Sequence, residues 1–493
     1  VGVYEISVEM QGFRKEVITG VRLEVGQRAR VDAKLSVGDI TQQITVEASA
    51  NLVSTDDATI GTLIDRAKIT ELPLPGSRNL YRLALLAPGM SRGPASSVTT
   101  SGFGAGFGIA AAGQKVHNNW VVLDGAPLRT VIHGITRMRP SVEAVEEFRV
   151  EYGWYNAEYG TQSGAQIIST IRPGTNDFHG TVFHFLRNEK LDARNFFENP
   201  LVPKRPLRRN IFGGVVSGPI VKNHTFFTFN FEGFRERRTS QGFAIYPTQR
   251  MRDGDLTEPN FRNPVSAAGA LIPIRALPTN QPFPDKRIPA SRIARQARGF
   301  YPYWPQPNSG AAAFDGTNNY SGSSRNALND DQTFVRIDHQ IGANNKLFGR
   351  YGNQEVADDA FPVNPHPYFV ARNPRHQQNA ILNWTRIFSP TLLGEVKTAY
   401  NRDVFKRVDD VSGTEFNIAR DLGIPGQTNN PTDTGLPGLG ITGVSGLGNT
   451  DINTIWDESR LVAGSLIWTR RGHTFKFGSE FTHLRLDRRT VNF

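Results

Sequence analysis

Apolar and polar residues alternate with a period of two through much of the chain beyond residue 178. Between Phe227 and Phe231, phenylalanine occupies every second position and polar residues fill the positions between. Such alternation predicts strands with one apolar and one polar face, because successive side chains of a strand point to opposite sides. We predict nine strands here: Phe178–Leu186, Ile211–Ile220, Thr225–Phe234, Thr333–Ile341, Lys346–Asn353, Gln378–Phe388, Leu392–Phe405, Ser459–Thr469 and His473–Leu484.

The connections between these strands alternate strictly between short and long. The short ones are 221–224, 342–345, 389–391 and 470–472, and the long ones are 187–210, 235–332, 354–377 and 406–458. A soluble β-sandwich also alternates apolar and polar residues, but it has no reason to gather every long loop on one side. Tight turns on one side and long loops on the other are typical of an outer-membrane β-barrel.

Residues 1–38 predict a second, smaller β unit. Apolar residues such as Val21, Leu23 and Val25 recur at every second position in short runs that turn residues separate. Three or four strands of this kind indicate part of a β-sandwich. The next segment, Asp39–Ala48, has two interpretations: a last sandwich strand followed by a linker, or a strand that adds to the sheet edge of a partner. The residues alone favour the first.

Residues 60–175 have a mixed pattern and predict an α+β unit. The predicted elements are a helical turn at Ala67–Leu72, an apolar helical segment at Ser77–Leu86, a flexible loop at Ser91–Gly113 and a strand at Asn119–Leu123 that ends on the turn Asp124-Gly125. The glycine-rich loop does not match a phosphate-binding G-x-G-x-x-G, and no strand precedes it.

The stretch from Pro140 to Gly180 joins this mixed unit to the alternating strands. It holds two predicted strands, Glu147–Tyr152 and Ala165–Arg172, and then Pro173-Gly174. The character of the sequence changes after Gly174. We therefore expect a boundary between two structural units at this joint.

Composition narrows the class of protein. Only 38% of the 493 residues are hydrophobic, and no apolar run reaches the ~18 residues that a membrane-spanning helix needs. There is no cysteine, which excludes disulfides, thiol catalysis and cysteine zinc sites. The net charge of +10 raises the question of nucleic-acid binding. The basic residues form local clusters at predicted strand ends, such as Arg208-Arg209, so we predict no nucleic-acid partner.

No pattern of catalytic residues is present. The sequence contains neither H-E-x-x-H nor G-x-S-x-G, and its ten histidines are scattered singly. The acidic pairs Asp330-Asp331, Asp358-Asp359 and Asp409-Asp410 are expected in or beside loops, where water solvates them. We therefore predict that the protein is not an enzyme and has no metal and no cofactor.

Several segments together carry a family resemblance. They are L-P-L-P-G-S-R-N-L-Y-R-L-A-L-L-A-P-G, N-N-W-V-V-L-D-G, V-E-E-F-R-V-E-Y-G-W-Y-N-A-E-Y-G-T-Q-S-G-A-Q-I, R-P-G-T-N-D-F-H-G-T-V-F-H-F-L-R-N-E-K-L-D-A-R-N-F-F, F-G-G-V-V-S-G-P-I with T-F-F-T-F-N-F-E-G, and P-T-Q-R-M-R-D-G-D-L. In this order and spacing they resemble TonB-dependent outer-membrane transporters, particularly the Oar-like group with an N-terminal carboxypeptidase-regulatory-like domain. The resemblance covers nearly the whole chain.

The resemblance implies a mainly β protein with four parts. They are a partial carboxypeptidase-regulatory-like β-sandwich (1–38), a linker with a TonB-box-like segment (39–59), an α+β plug domain (60–175) and the first strands of a large antiparallel transmembrane β-barrel (176–493). A barrel of this family has roughly 22 strands, and nine are predicted. We therefore expect a fragment that is truncated at both ends.

The resemblance also assigns two functional segments. Ile44, Thr45, Val46, Glu47 and Ala48 resemble the TonB box, which the energy-transducing protein of the inner membrane pulls, although Glu47 stands where Thr is expected. Arg172, Pro173 and Gly174 become the joint between plug and barrel. A rigid replacement of Gly174 is expected to impair uptake more than membrane insertion.

These assignments imply an outer-membrane receptor that imports a bulky solute. Its expected partners are TonB, the lipid of the outer membrane and an unknown solute, carbohydrate or peptide. Two other functions remain open: a cell-surface adhesion or matrix-interacting protein on the same architecture, and a soluble multi-domain β-protein that binds polysaccharide.

Overall fold

The computed structural model describes most of the chain, and every structural statement below concerns these residues. They are 2–23, 31–38, 43–47, 59–74, 76–93, 108–131, 134, 136, 138–153, 155–156, 158–160, 162–194, 196, 203–257, 273–276, 278–310, 317–364, 370–408, 410, 414–426, 435–441, 443–448 and 452–491.

The N-terminal residues form a three-stranded sheet with the order β1-β2-β3. Its strands are β1 (Gly2–Val8), β2 (Lys15–Leu23) and β3 (Gln43–Glu47). β1 is antiparallel to β2, whereas β3 runs parallel to β2. Apolar side chains of β2, including Val17 and Val21, are buried. The sheet therefore continues past residue 38 and takes in part of the segment for which a linker was one interpretation.

The described residues from 59 to 172 form a mixed unit, here called the inner domain. Its strands are β4 (Gly61–Ile64), β5 (Met90–Arg92), β6 (Ile109–Ala111), β7 (Trp120–Leu123), β8 (Ala126–Pro127), β9 (Val145–Glu151) and β10 (Gln166–Ile171). Five of them form one sheet with the order β4-β9-β10-β7-β8, and β5 pairs with β6. The helices are α1 (Arg66–Glu71) and the 3-10 segments Leu80–Leu86, Val116–Asn118 and Val142–Ala144.

Local sequence explains the inner-domain helices. The side chain of Asp65 caps α1 by accepting a hydrogen bond from the backbone N–H of Lys68, and Asn79 caps the next helical segment in the same way through Tyr81. Tyr81 is fully buried against Phe148, with ring centroids 6.2 Å apart, in the domain core. The predicted helical turn and helical segment are confirmed, the latter as 3-10 helix. The predicted loop at 91–113 is wrong at its two ends, where β5 and β6 pair.

The strands beyond residue 178 form a large antiparallel meander. In chain order they are β11 (His179–Asn188), β12 (Leu207–Val221), β13 (Thr225–Ala244), β14 (Arg275–Ala276), β15 (Gln281–Pro282), β16 (Tyr320–Ile341), β17 (Asn345–Phe361), β18 (Ala371–Arg372), β19 (Arg375–Ser389), β20 (Leu392–Arg407), β21 (Leu439–Ile441), β22 (Val444–Leu447), β23 (Ile452–Arg470) and β24 (His473–Val491). Nine long strands pair in the order β11-β12-β13-β16-β17-β19-β20-β23-β24, here called the wall. All nine predicted strands are confirmed.

The wall strands differ from the prediction in length. β13 has 20 residues and β16 has 22, whereas about ten residues are enough to cross a membrane. The tight turns at 222–224, 342–344, 390–391 and 471–472 are where predicted. Since the strands are not extended at these turns, the extra residues lie at their other ends, on the side of the long connections. The wall therefore projects well beyond the length that a bilayer requires.

The wall buries polar side chains on one face and exposes apolar side chains on the other, which is the reverse of a soluble protein. On β13 the polar side chains of Thr228, Asn230 and Glu232 are buried, with relative exposures of 1%, 0% and 6%. The apolar Phe229 between them points to the other side and is 41% exposed. An outer face that meets lipid and an inner face that meets polar groups account for this arrangement.

The long connections pack together on one side of the wall. The described residues of 245–319, 362–374 and 408–451, here called the cap, include α2 (Gln249–Arg252), α3 (Arg295–Phe300), α4 (Ile418–Asp421) and the 3-10 segments Pro284–Lys286, Ala290–Arg292 and Tyr301–Tyr303. They share an apolar core that contains Tyr246, Trp304 and Leu436. Backbone bonds reinforce it, as between Ser445 N and Ile245 O at 2.8 Å.

Among the residues that the structure describes, no helix has both the length and the apolar character needed to cross a membrane.

Candidate functional site where the inner domain meets the wall

The inner domain contacts all nine strands of the wall on one face. In strand order the contacts are Arg78 over the Phe185 ring at 3.9 Å, Arg209 with Gly76 O at 2.9 Å, Thr228 with Arg172 O at 2.8 Å, Asp330 with Arg139 at 2.5 Å, Arg350 with Asp124 at 2.9 Å, Asn379 with Pro127 O at 3.1 Å, Ala399 with Ala126 in one apolar cluster, Asp457 with Val131 N at 2.6 Å and Lys476 with Glu158 at 2.5 Å. Nine strands spaced by ~4.8 Å reach one small domain only if the wall wraps around it.

At the centre of this interface lies the tight turn between β7 and β8. Leu123 pairs with Ala126, and the two residues between them, Asp124 and Gly125, have φ angles of 53° and 88°. Asp-Gly suits such a two-residue hairpin turn, because both positions need positive φ. The Asp124 carboxylate accepts a hydrogen bond from the backbone N–H of Ile171 at 3.0 Å. The turn is thereby fixed to the end of β10.

Two arginines of the wall bind the Asp124 carboxylate. Arg336 Nη1 lies 2.7 Å from Asp124 Oδ1, and Arg350 Nε lies 2.9 Å from Asp124 Oδ2. Asp338 pairs with Arg336 at 2.7 Å, so two acids balance two guanidiniums. All four side chains are at most 7% exposed. We call this group the Asp124 cluster.

The arginines also hold the backbone of the inner domain. Arg336 donates to Ile171 O at 3.0 Å, and Arg350 donates to Leu123 O at 3.1 Å. Buried charges are costly unless they are paired, and every charged side chain of the Asp124 cluster lies within 2.9 Å of an opposite charge. Removing one partner would leave the others buried without compensation.

A second buried charge group lies between the inner domain and strands β12, β13 and β16. Its ion pairs are Arg78–Glu143 at 2.6 Å within the inner domain, Arg139–Asp330 at 2.5 Å between the two units, and Arg209–Glu236 between β12 and β13. The prediction that Asp330 and Asp358 are solvated loop residues is wrong. Both lie within wall strands and are 4% and 6% exposed, because they face inward. Asp409 lies outside the described residues.

The predicted joint at Arg172, Pro173 and Gly174 is pressed against the wall. Arg172 N donates to Ala144 O of the inner domain at 2.8 Å, and Arg172 O accepts from Thr228 of β13 at 2.8 Å. A Cβ at Gly174 would stand 2.6 Å from Phe227 O and 2.9 Å from Gly218 O. Only glycine fits so close to two backbones.

The TonB-box-like residues occupy a different place. Ile44, Thr45, Val46 and Glu47 lie in β3, opposite Glu16, Val17, Ile18 and Thr19 of β2, and Ala48 lies outside the described residues. The interpretation as a last strand of the N-terminal unit thus describes the observed pairing. Strand addition to a partner stays a prediction.

A cavity of about 530 Å³ separates part of the inner domain from β20, β23 and β24. Its lining includes Glu158, Glu395, Lys397, Lys476 and Glu480, so it is strongly polar. Within the described part of the chain, no group of three or more His, Cys, Asp or Glu side chains could hold a metal ion.

Sequence reasoning missed the Asp124 cluster. Asp124 was interpreted only as a turn residue, and its two arginines lie in predicted strands. One pattern could have pointed to them: Arg336 and Arg350 are inward residues directly opposite each other on adjacent strands. Like charges in that position destabilise a sheet unless an acid lies between them. The source of the acid, 212 residues away from Arg336, could not be predicted.

The wrapped, inverted wall is the architecture of an outer-membrane β-barrel. The chain belongs to the outer membrane beta barrel domain family, whose sequence profile matches residues 170–493. It is located in the outer membrane.

Two of the known proteins that are similar to this chain show its relation to transporters. The TonB-dependent transporter Oar of Myxococcus xanthus is 24% identical over 247 residues, which cover 47% of this chain and 22% of the relative. The outer membrane transporter YddB of Escherichia coli superposes with a TM-score of 0.52 at 10% sequence identity. The match covers 87% of this chain and 48% of the YddB chain. The second likeness is one of fold. The chain thus spans less than half the length of either protein.

Proposed function

We propose that this protein is a receptor that imports a bulky solute across the outer membrane with energy supplied by TonB. In this proposal residues 60–175, which take in nearly all of the inner domain, are a plug inside the barrel, and residues 176–493 belong to the barrel. The similarity to a TonB-dependent transporter supports the proposal. Both relatives are transporters, which also favours a role other than catalysis.

One observation carries the proposal: the interface between the inner domain and the wall is built largely of balanced charges. The Asp124 cluster, the pair Arg139–Asp330 and the bond from Val131 N to Asp457 are all polar contacts between the two units. Water can solvate such groups again when the surfaces separate, whereas an apolar interface would resist separation. An interface that is firm when closed and tolerates water when opened suits a plug that must move.

The joint gives that movement a fixed end. Arg172 and Gly174 are held against β12 and β13, so the plug stays attached to the wall there. The Asp124 cluster lies beside this joint, because Ile171, the residue before Arg172, is hydrogen-bonded to both Asp124 and Arg336. We therefore infer that the polar contacts farther from the joint, such as Lys476 of β24 with Glu158, separate first when the plug moves.

TonB would act through Ile44–Ala48, and the solute would meet the cap first. A short β-prone segment is suited to strand addition, because its main-chain groups can join the sheet of a partner. The cap is built from three long connections with one apolar core, which gives it a defined surface for contact.

Deletion of Asp39–Ala48 tests the proposal. We expect cells that carry the deletion to lose protein-dependent depletion of solutes from the culture medium, measured by untargeted mass spectrometry. The amount of protein in the outer membrane should stay the same, because the deletion leaves the wall intact. The matched control is deletion of residues 49–58, which has the same length, retains the TonB-box-like segment and leaves the cap connections unchanged. Unchanged depletion after removal of 39–48 would contradict the proposal.

A further inference from the structure

The TonB-box-like segment already forms part of a sheet within this chain. β3 pairs with β2 in parallel through five consecutive residue pairs, from Lys15 opposite Gln43 to Thr19 opposite Glu47. This pairing engages backbone N–H and C=O groups of β3 along one edge. Strand addition of the TonB-box-like segment to a partner would use the same type of group on four of these residues, Ile44–Glu47.

The residues of β2 that pair with β3 are buried. Glu16, Val17 and Ile18 of β2 are 7%, 4% and 5% exposed, so both faces of β2 are covered where it pairs with β3. β3 is the edge strand of the sheet and Val46 is 42% exposed, so β2 occupies one backbone edge of β3 and leaves this side chain accessible. A partner strand that adds to that same edge must first displace β2.

We propose that the N-terminal sheet restrains the TonB-box-like segment, and that β2 and TonB compete for β3. This inference rests on the proposed function and adds a regulatory step to it. TonB binds only the released segment, so its apparent affinity equals the intrinsic affinity multiplied by the fraction of molecules in which β3 is unpaired. Any event that loosens β2 from β3 would raise the response to TonB.

The absence of cysteine allows a direct test, since an engineered disulfide has no competing thiol. Ile18 and Val46 are paired residues of β2 and β3, and adjacent strands place Cα atoms within the ~4.4–6.8 Å range of disulfides. The test variant is Ile18→Cys with Val46→Cys in the full chain. The control is Ile6→Cys with Ile18→Cys, which links β1 to β2 and shares one substitution.

The measurement is the affinity of the purified periplasmic domain of TonB for each protein in detergent, oxidised and then reduced. We expect oxidation to weaken binding at least tenfold for the β2–β3 link, with recovery on reduction, and to leave the β1–β2 control unchanged. Equal affinity of the oxidised and reduced test variant would overturn the inference, because TonB would then bind β3 while it is paired. An equal loss in both variants would overturn it as well.

The two proposals fail separately. If deletion of Asp39–Ala48 abolishes TonB binding but the β2–β3 disulfide does not affect it, only the restraint is wrong. If neither change affects TonB binding, the segment is not the contact with TonB, and the proposed function fails at that step.

Discussion

At the scale of single residues, Asp124 has the largest role in the interface. Its carboxylate joins the turn of the inner domain to Arg336 and Arg350 of two wall strands, and all three side chains are buried. A surface ion pair contributes little, because water screens it and its side chains lose freedom. In the buried Asp124 cluster, the loss of one partner leaves charges that nothing compensates.

The substitution Asp124→Asn should therefore loosen the inner domain from the wall. We expect a loss of about 3–5 kcal/mol in the free energy of local opening, because two buried guanidiniums would retain only Asp338. Native-state hydrogen exchange of the amides of Trp120–Leu123 in detergent micelles measures this energy.

The control for this change is Asp192→Asn. Asp192 pairs with Arg187 at 2.9 Å on the surface, where the side chains are 32% and 49% exposed. Its loss should change the opening energy by less than about 1 kcal/mol. Similar effects of the two substitutions would contradict the role assigned to the Asp124 cluster.

At the scale of elements, a wall strand such as β13 has one part that crosses the membrane and a second part that continues beyond it toward the cap. The residues of β13 next to its tight turn alternate between an apolar outer face and a polar inner face. The strand then continues to Ala244 on the side of the cap. With a rise of ~3.4 Å per residue and a tilt of ~40°, 14 residues advance about 36 Å along the membrane normal, which exceeds an apolar band of about 25 Å.

Phe229 and Phe243 allow a test of this length. They are 14 positions apart on the same strand and both are exposed, at 41% and 58%. We expect Phe229→Arg to cost about 2–4 kcal/mol, since it places a charge in the lipid, and to lower the amount of protein in the outer membrane. Phe243→Arg should have little effect, because that position lies beyond the bilayer. Equal membrane levels, measured by immunoblotting of outer-membrane fractions, would refute the placement.

At the scale of the whole molecule, three distant connections form the cap as a second packed core. Trp304 donates from Nε1 to Ser445 O at 3.1 Å, and Asn364 donates to Tyr303 O at 3.1 Å. Each bond joins a different pair of connections. The cap should therefore behave as one cooperative unit, although the wall strands separate its parts in the sequence.

The buried Tyr246 makes the stability of the cap depend on alkaline pH. Burial raises its pKa to about 12, and the nearby Tyr320 phenol, with ring centroids 4.9 Å apart, adds to the rise. The folded cap thus keeps the Tyr246 proton to a higher pH than the unfolded chain, whose tyrosine pKa is about 10. The stabilisation is complete below pH 10 and is lost as the pH rises toward 12, by up to about 2.7 kcal/mol.

The variant Tyr246→Phe isolates this effect. We expect it to lack the part of the alkaline destabilisation that Tyr246 contributes, while other tyrosines titrate equally in both proteins. Limited proteolysis of the cap in whole cells between pH 9 and 11 compares the two. Identical pH profiles would show that Tyr246 does not titrate with cap unfolding.

The sequence by itself determined the wall: nine strands, their tight turns, and, for the strand that contains Phe227–Phe231, which face is polar. These features follow from local rules, namely the period of two along a strand and the residues that turns require. The same reason applies to the helical turn predicted at Ala67–Leu72, observed as Arg66–Glu71, and to the Asp124-Gly125 turn. The great length of strands such as β16 was not, because pairing with neighbours rather than alternation extends them.

Only the tertiary structure decided which residues meet across the two units. Asp124 and Arg336 are 212 residues apart, and nothing local to either specifies the other. The inward position of Asp330 and the pairing of β3 with β2 depend in the same way on distant chain segments. Charge balance in a buried interface and the choice of a strand partner are properties of the assembled fold, so their energies appear only when the segments have come together.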